Sequence, residues 1–83
     1  MAKYDIIYTE PAHEDLDRLP LRHAAQIVRK VGRLQTGLVG DIKRLQNHDF
    51  MYRLRTGDYR VLFDVEGGCI VIRRIKDRKV AYD

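Results

Sequence analysis

The sequence predicts an α+β domain in the order β-α-α-β-β-β, with two N-terminal helices packed on one face of a small, mostly antiparallel four-stranded sheet. Three observations lead there. Runs rich in β-branched and aromatic residues open the chain and recur three times after Asp49. Between them lie two stretches with helical apolar spacing, separated by Pro20. Only short turns join the last three runs, which makes them antiparallel neighbours; helices on one face then leave the other face open. The 83 residues are read as a single domain, 1–83, that buries about three-fifths of its unfolded surface.

Each element has a local cause. Residues 3–8 hold Tyr4, Ile6, Ile7 and Tyr8 and read as the opening strand. Thr9-Glu10-Pro11 is a helix start: Thr9 or Glu10 caps, and a proline in the first turn gives up no needed N–H. Ala12, Leu16 and Leu19 form one apolar stripe, and Pro20 ends that helix. A second helix is expected from Leu21 to Gln35. Leu21, Ala24, Val28, Val31 and Leu34 would face inward, with Ala25 and Ile27 flanking and Gly37 as the stop. Residues 36–49 show no strong period, though Ile42 and Leu45 anchor part of them. Strands are expected over 50–55, 59–65 and 69–75, the last two joined by a turn at Glu66-Gly67-Gly68.

Composition narrows the class. At 45% hydrophobic residues the chain can build a core. A lone cysteine, Cys69, excludes an internal disulfide framework and fits a reducing compartment; within an apolar strand its thiol is expected to be buried and inert. No apolar leader and no membrane-length run appear, so a cytoplasmic location without a membrane partner is expected. The net charge of +4 is unevenly spread: residues 51–83 carry eight Lys/Arg against five acids, whereas residues 1–40 carry six against five.

The stretch Met51–Val61 carries the strongest functional signal. It reads as a tight hairpin turning at Thr56-Gly57-Asp58. Alternation puts Arg53 and Arg55 on one face and Tyr52 and Leu54 on the other. With Tyr59, Val61, Phe63 and Val65 assigned to the core, Arg60 is expected to project outward beside the first two arginines. Guanidinium forks match phosphate oxygens, so RNA is the first ligand to consider. Arg73 and Arg74 point to opposite faces; at most one joins this groove, and the other meets an acid or a partner.

Three motifs together resemble the RelE/ParE toxin superfamily, and its RelE branch more closely. They are Leu-Asp-Arg-Leu-Pro (16–20), Tyr-Arg-Leu-Arg-Thr-Gly-Asp-Tyr-Arg-Val-Leu-Phe (52–63), and the closing Arg-x-x-x-Tyr (78–82). The resemblance implies the RelE-like microbial ribonuclease fold and a toxin of a toxin–antitoxin pair. Such an mRNA interferase cuts mRNA in the ribosomal A site through 2′-hydroxyl attack, with no metal or other cofactor. It implies catalytic roles for Arg60 on the scissile phosphate, Arg78 on developing charge, Tyr82 on the substrate and Arg53 near the 2′-hydroxyl. Arg55, Lys43, Arg44 and Lys76 complete an RNA-binding set, with Lys43 and Arg44 as a rim for 16S rRNA phosphates. The implied partners are a cognate antitoxin, the ribosome with its mRNA, and operator DNA only through the antitoxin. His23, Gln26, Arg29, Lys30 and Arg33 offer the second helix's polar face to that antitoxin.

Two positions depart from the pattern. Met51 stands where a more basic member has lysine, and Asp77 where many relatives have histidine. Arginine is a poor proton acceptor because it stays protonated, which leaves His48 and Asp77 as the nearby acceptors. His48 is expected to be a solvated loop residue, and Asp77 a tether for Lys76 and Arg78. Two other readings stay open: a ParE-like inhibitor of DNA gyrase, and a catalytically weak toxin acting mainly in an antitoxin–operator repressor complex.

Overall fold

The computed structural model describes residues 3–46 and 49–79. Strand β1 (Asp5–Tyr8) leads into helix α1 (Glu10–Asp17) and helix α2 (Leu21–Gly32), which tightens into a 3-10 turn over Arg33–Thr36. Four strands follow: β2 (Ile42–Arg44), β3 (Tyr52–Thr56), β4 (Tyr59–Glu66) and β5 (Cys69–Asp77). They form one sheet in the order β1-β5-β4-β3-β2, antiparallel except where β1 runs parallel to β5.

The α+β class is as expected, but the sheet has five strands rather than four. The extra one is β2, three residues of the stretch that looked aperiodic. Its pairing explains why: Ile42, Lys43 and Arg44 lie opposite Leu54, Arg53 and Tyr52 at the sheet edge, too short a run to display alternation.

Thr9 caps α1 as expected, its hydroxyl accepting from the Ala12 amide at 3.3 Å. The same residue ties the helix to the sheet. Its amide donates to the Ile72 carbonyl at 3.0 Å and its hydroxyl to that of Arg73 at 3.1 Å. α1 thus lies along the part of β5 that β1 is too short to pair. Asp15 finishes the cover: its carboxylate accepts from the Ile75 amide at 2.9 Å and from Arg74 Nε and Nη2 at 2.8 and 3.1 Å. Burial alone would raise the Asp15 pKa, but the Arg74 and Ile75 hydrogen bonds, with the charges of Arg74 and Lys76, hold it below the usual carboxylate range.

The core lies between the helices and one sheet face. Ala12, Ile27, Val31 and Leu34 meet Leu54, Val61, Phe63, Ile70, Ile72 and Ile75. The inward face of α2 differs from the expected one. Leu21 is 84% exposed and Val28 46%, while Ile27, Val31 and Leu34 are buried. Both stripes satisfy a 3.6-residue period and share Val31 and Leu34; contact with the sheet selects the one rotated by about 50°, which brings in Ile27 and turns out Val28 and Leu21. Cys69 is half-buried with a free thiol.

Tyr8 presents a stability test. Its ring packs on the core, its hydroxyl is buried with no hydrogen-bond partner among the described residues, and burial pushes its pKa up to about 12. Tyr8→Phe is expected to stabilise the fold by about 1 kcal/mol, because an unsatisfied buried hydroxyl is removed. Urea denaturation would register this as a higher midpoint at unchanged slope.

Candidate nucleic-acid interface

The expected hairpin forms, with Thr56 paired rather than in the turn: Thr56 opposes Tyr59, Arg55 opposes Arg60, Leu54 opposes Val61 and Arg53 opposes Leu62. Gly57 opens the two-residue loop with φ +60°, a left-handed conformation that favours glycine there. Leu54, Val61 and Phe63 fill the core, so Arg53, Arg55, Arg60 and Leu62 share the face away from the helices. On β5, Lys76 opposes Arg60 and Arg74 opposes Leu62. Two transverse rows result: Arg55–Arg60–Lys76, and Lys43–Arg53–Leu62–Arg74. Neighbouring strands lie about 4.8 Å apart, so the first row sets three cationic residues across about 10 Å of backbone.

Depth within that face was not foreseen. Arg60 is only 3% exposed and Arg53 9%, so neither projects freely as the alternation suggested. The Arg60 guanidinium turns back on the hairpin, Nη1 donating to the carbonyls of Gly57 at 3.2 Å and Tyr59 at 3.1 Å. Arg53 Nη1 donates to both the backbone carbonyl and the carboxylate of Asp41, each at 3.4 Å. Leu45 and Leu62 are also buried yet stand outside the main core cluster. This second sheet face is therefore partly covered rather than open.

Arg78 does meet the hairpin. Its amide donates to the Asp58 carbonyl at 2.8 Å, and its guanidinium lies 3.7 Å from the Asp58 carboxylate. Arg60 and Arg78 thus contact adjacent residues of one turn. Arg78 remains accessible, with its side chain 58% exposed; Arg55 is exposed and Lys76 half-buried.

Lys43 and Arg44 separate. Lys43 opposes Arg53 and joins the cationic face, whereas Arg44 opposes Tyr52 on the other side. Arg44 Nη1 donates to the Tyr52 hydroxyl at 3.1 Å, and its guanidinium carbon sits 5.1 Å from the Tyr52 ring centroid. Arg44 therefore lies on the opposite sheet face from Lys43. Arg73 and Arg74 both meet acids. Arg73 pairs with Asp64 at 3.7 Å and Arg74 with Asp15; Asp64 also accepts the Met51 amide at 2.8 Å. Asp77 accepts the Lys79 amide at 2.9 Å, tethering the backbone beyond the strand rather than Lys76 or Arg78. Tyr59 packs on the core as expected, and its hydroxyl lies 3.0 Å from His23 Nδ1. Sequence reasoning missed Asp41 and Asp58 as arginine partners; each sits in a turn, where its register with a distant arginine leaves no local signal. Tyr82 and His48 lie outside the described residues.

Comparison with known proteins agrees with this architecture. The family described as the ParE toxin of type II toxin–antitoxin systems, parDE, matches over residues 6–82. The chain is 31% identical over 86 aligned positions to Putative toxin RelE1 of Methanocaldococcus jannaschii, covering 96% of each. It is 42% identical over 43 residues to Toxin RelE3 of the same organism, an alignment covering 52% of this chain and 49% of that protein; the match thus spans about half of RelE3. In structure it is similar to a chain of the archaeal RelE–RelB complex from Pyrococcus horikoshii OT3. That similarity has a TM-score of 0.80 at 26% identity, covering 95% of this chain and 99% of that one. The paired helices against the antiparallel hairpins, the matched span and the full-length RelE relative make this chain a member of the ParE toxin family of type II toxin–antitoxin systems, within the RelE/ParE superfamily.

Proposed function

We propose that this chain, as one domain over residues 1–83, is a toxin that acts in the cytoplasm as a ribosome-dependent endoribonuclease, cutting mRNA in the A site without a metal. The observation that carries this reading is the Arg55–Arg60–Lys76 row with Arg78 anchored to the turn beside it. RNA brings its own nucleophile. Attack of the 2′-oxygen on the adjacent phosphorus forms the new P–O2′ bond, and the P–O5′ bond breaks. The products carry a 2′,3′-cyclic phosphate and, once the leaving oxygen is protonated, a 5′-hydroxyl. Negative charge grows at phosphorus in the transition state, and fixed cations lower that barrier.

Roles follow from accessibility. Arg55, Lys76 and Lys43 are assigned the phosphates of the incoming strand, and Arg78 the neutralisation of the reacting phosphate, a reading that their exposure supports. Arg60 braces the turn that carries Asp58 and anchors Arg78, and its little-exposed charge in the middle of the row is weakly screened by solvent. Direct contact between Arg60 and the scissile phosphate requires its guanidinium, now little exposed and held through Nη1 by the Gly57 and Tyr59 carbonyls, to become accessible. Tyr82 is assigned the substrate contact that the resemblance implies. The Pyrococcus relative, solved with RelB, supports a cognate antitoxin as the protein partner, with operator DNA reached only through it; the ribosome presents mRNA and 16S rRNA.

A second reading, inhibition of DNA gyrase, draws support from the burial of Arg53 and Arg60, since a binding protein does not need them at the surface. Purified chain added to a translation extract and, separately, to a supercoiling reaction distinguishes the two. The ribonuclease reading predicts cut mRNA with supercoiling unaffected; intact mRNA with blocked supercoiling would replace it with the second.

A further inference from the structure

We propose that the hollow bordered by Thr9, Pro11, Phe50, Arg73 and Arg74, about 460 Å³ in volume, is a nucleobase subsite that selects a guanine beside the phosphates held on the cationic row. This rests on the RNA reading above and narrows its substrate.

A break in the strand ladder builds the hollow. Leu62 opposes Arg74 and Phe63 opposes Ile72, so Arg73 is an extra residue between two paired ones. Strict alternation would send Arg73 and Arg74 to opposite faces; with the bulge, both border one hollow. Phe50 is brought there through its neighbour. The Met51 amide donates to the Asp64 carboxylate at 2.8 Å, and that carboxylate lies 3.7 Å from Arg73 Nη1.

The hollow continues the cationic face. Arg74 ends the Lys43–Arg53–Leu62–Arg74 row. Two residues along β5, or about 7 Å, separate it from Lys76 on the first row. A strand with a phosphate on Lys76 therefore reaches the hollow with an adjoining base.

Charge and donor geometry identify the occupant. The two arginines face two carboxylates, Asp64 and Asp15, and Glu14 adds negative charge near Arg74. A phosphate gains little from such a balanced site, whereas an uncharged flat group with hydrogen-bond acceptors suffers no repulsion. Donors remain for it. The Arg73–Asp64 pair, at 3.7 Å, is longer than a hydrogen bond, and the Arg73 side chain is 45% exposed. Asp15 holds Arg74 through Nε and Nη2, which fixes the plane of that guanidinium. Guanine offers adjacent O6 and N7 acceptors that match a guanidinium fork; adenine replaces O6 with an amino donor, and pyrimidines lack N7. Half-buried Phe50, with Pro11, supplies apolar surface for the face of the base.

The test titrates ¹⁵N-labelled chain with guanosine, adenosine and uridine 5′-monophosphates and with inorganic phosphate, reading backbone amides and arginine Nε–H signals. Guanosine monophosphate is expected to shift the Phe50 amide and Arg73 Nε–H, and to bind roughly tenfold more tightly than the other two nucleotides. Inorganic phosphate is expected to shift Arg55 and Arg78 and to leave the hollow unmoved. Phe50→Leu and Arg73→Gln are each expected to weaken guanosine monophosphate roughly tenfold, while the remaining amide spectrum reports an intact fold. Equal binding of the three nucleotides, shifts confined to other parts of the chain, or affinity unchanged in both variants would overturn the proposal; cleavage of ribosome-bound mRNA by the same wild-type chain would leave the ribonuclease reading in place. Inorganic phosphate shifting Phe50 and Arg73 would also overturn it and make the hollow an anion site. If guanosine monophosphate binds the hollow but wild-type chain cuts no mRNA, the ribonuclease reading fails and the base subsite stands.

Discussion

Arg78→Ala is expected to slow cleavage of ribosome-bound mRNA by about a hundred- to a thousandfold, the effect of removing one preorganised donor from a transition-state charge. The fold should survive the change. The tie between residue 78 and the hairpin runs mainly through its backbone amide, which alanine retains. The side-chain pair with Asp58 is 3.7 Å long and exposed on both sides, an arrangement worth at most about 1 kcal/mol. Rate and stability should therefore separate: single-turnover cleavage collapses while the melting curve barely moves. Arg60→Ala should behave differently. It removes two hydrogen bonds to turn carbonyls, so loss of activity would come with loss of stability. An Arg78→Ala protein that cuts at the wild-type rate would remove Arg78 from the chemistry.

Asp15→Ala is expected to destabilise the fold by about 2–3 kcal/mol, a fall in Tm of roughly 10–20 °C for a domain of this size. Asp15 satisfies the Ile75 amide and both donors of Arg74 where α1 replaces β1 as the cover of β5. Alanine leaves a buried N–H without its acceptor and Arg74 without its counterion. The Arg74 side chain is 37% exposed, so solvent recovers part of the loss, and the figure stays below that for a fully buried pair. The pH dependence has a definite sign. The folded Asp15 carboxyl titrates below its unfolded value, about 3.9. Its contribution is fully present above that unfolded value and is lost as pH falls through the folded one. The stability difference between wild type and Asp15→Ala should thus be flat at neutral pH and shrink in acid. A difference that grows in acid would contradict this account of the contact.

Much of the architecture was legible because local signals agreed with one another. Thr9-Glu10-Pro11 marks a helix start, Pro20 separates two helices, and Gly57 and Gly67 sit in the turns, so the β3–β4 hairpin and the faces of its residues follow from local signals. What stayed hidden depends on contacts distant in sequence. Periodicity does not choose between Val28 and Ile27 as the inward residue of α2; the sheet does. Alternation placed Arg60 on the correct face but is silent about depth, and about the bonds that its guanidinium makes to Gly57 and Tyr59. Lys43 and Arg44 looked equivalent as neighbouring cations until β2 paired with β3 and sent them to opposite faces. Which of Arg73 and Arg74 would meet an acid was not legible, and Asp15 as the partner of Arg74 was out of reach because it lies 59 residues away.

The most direct test of the proposed activity is primer extension on an mRNA whose ribosome is held at the start codon with an empty A site. The account predicts a cut within the second codon, a 5′-hydroxyl on the downstream fragment, and greatly reduced signal with Arg78→Ala. An uncut message in the presence of folded wild-type chain would contradict it, as would equal cutting of ribosome-free mRNA.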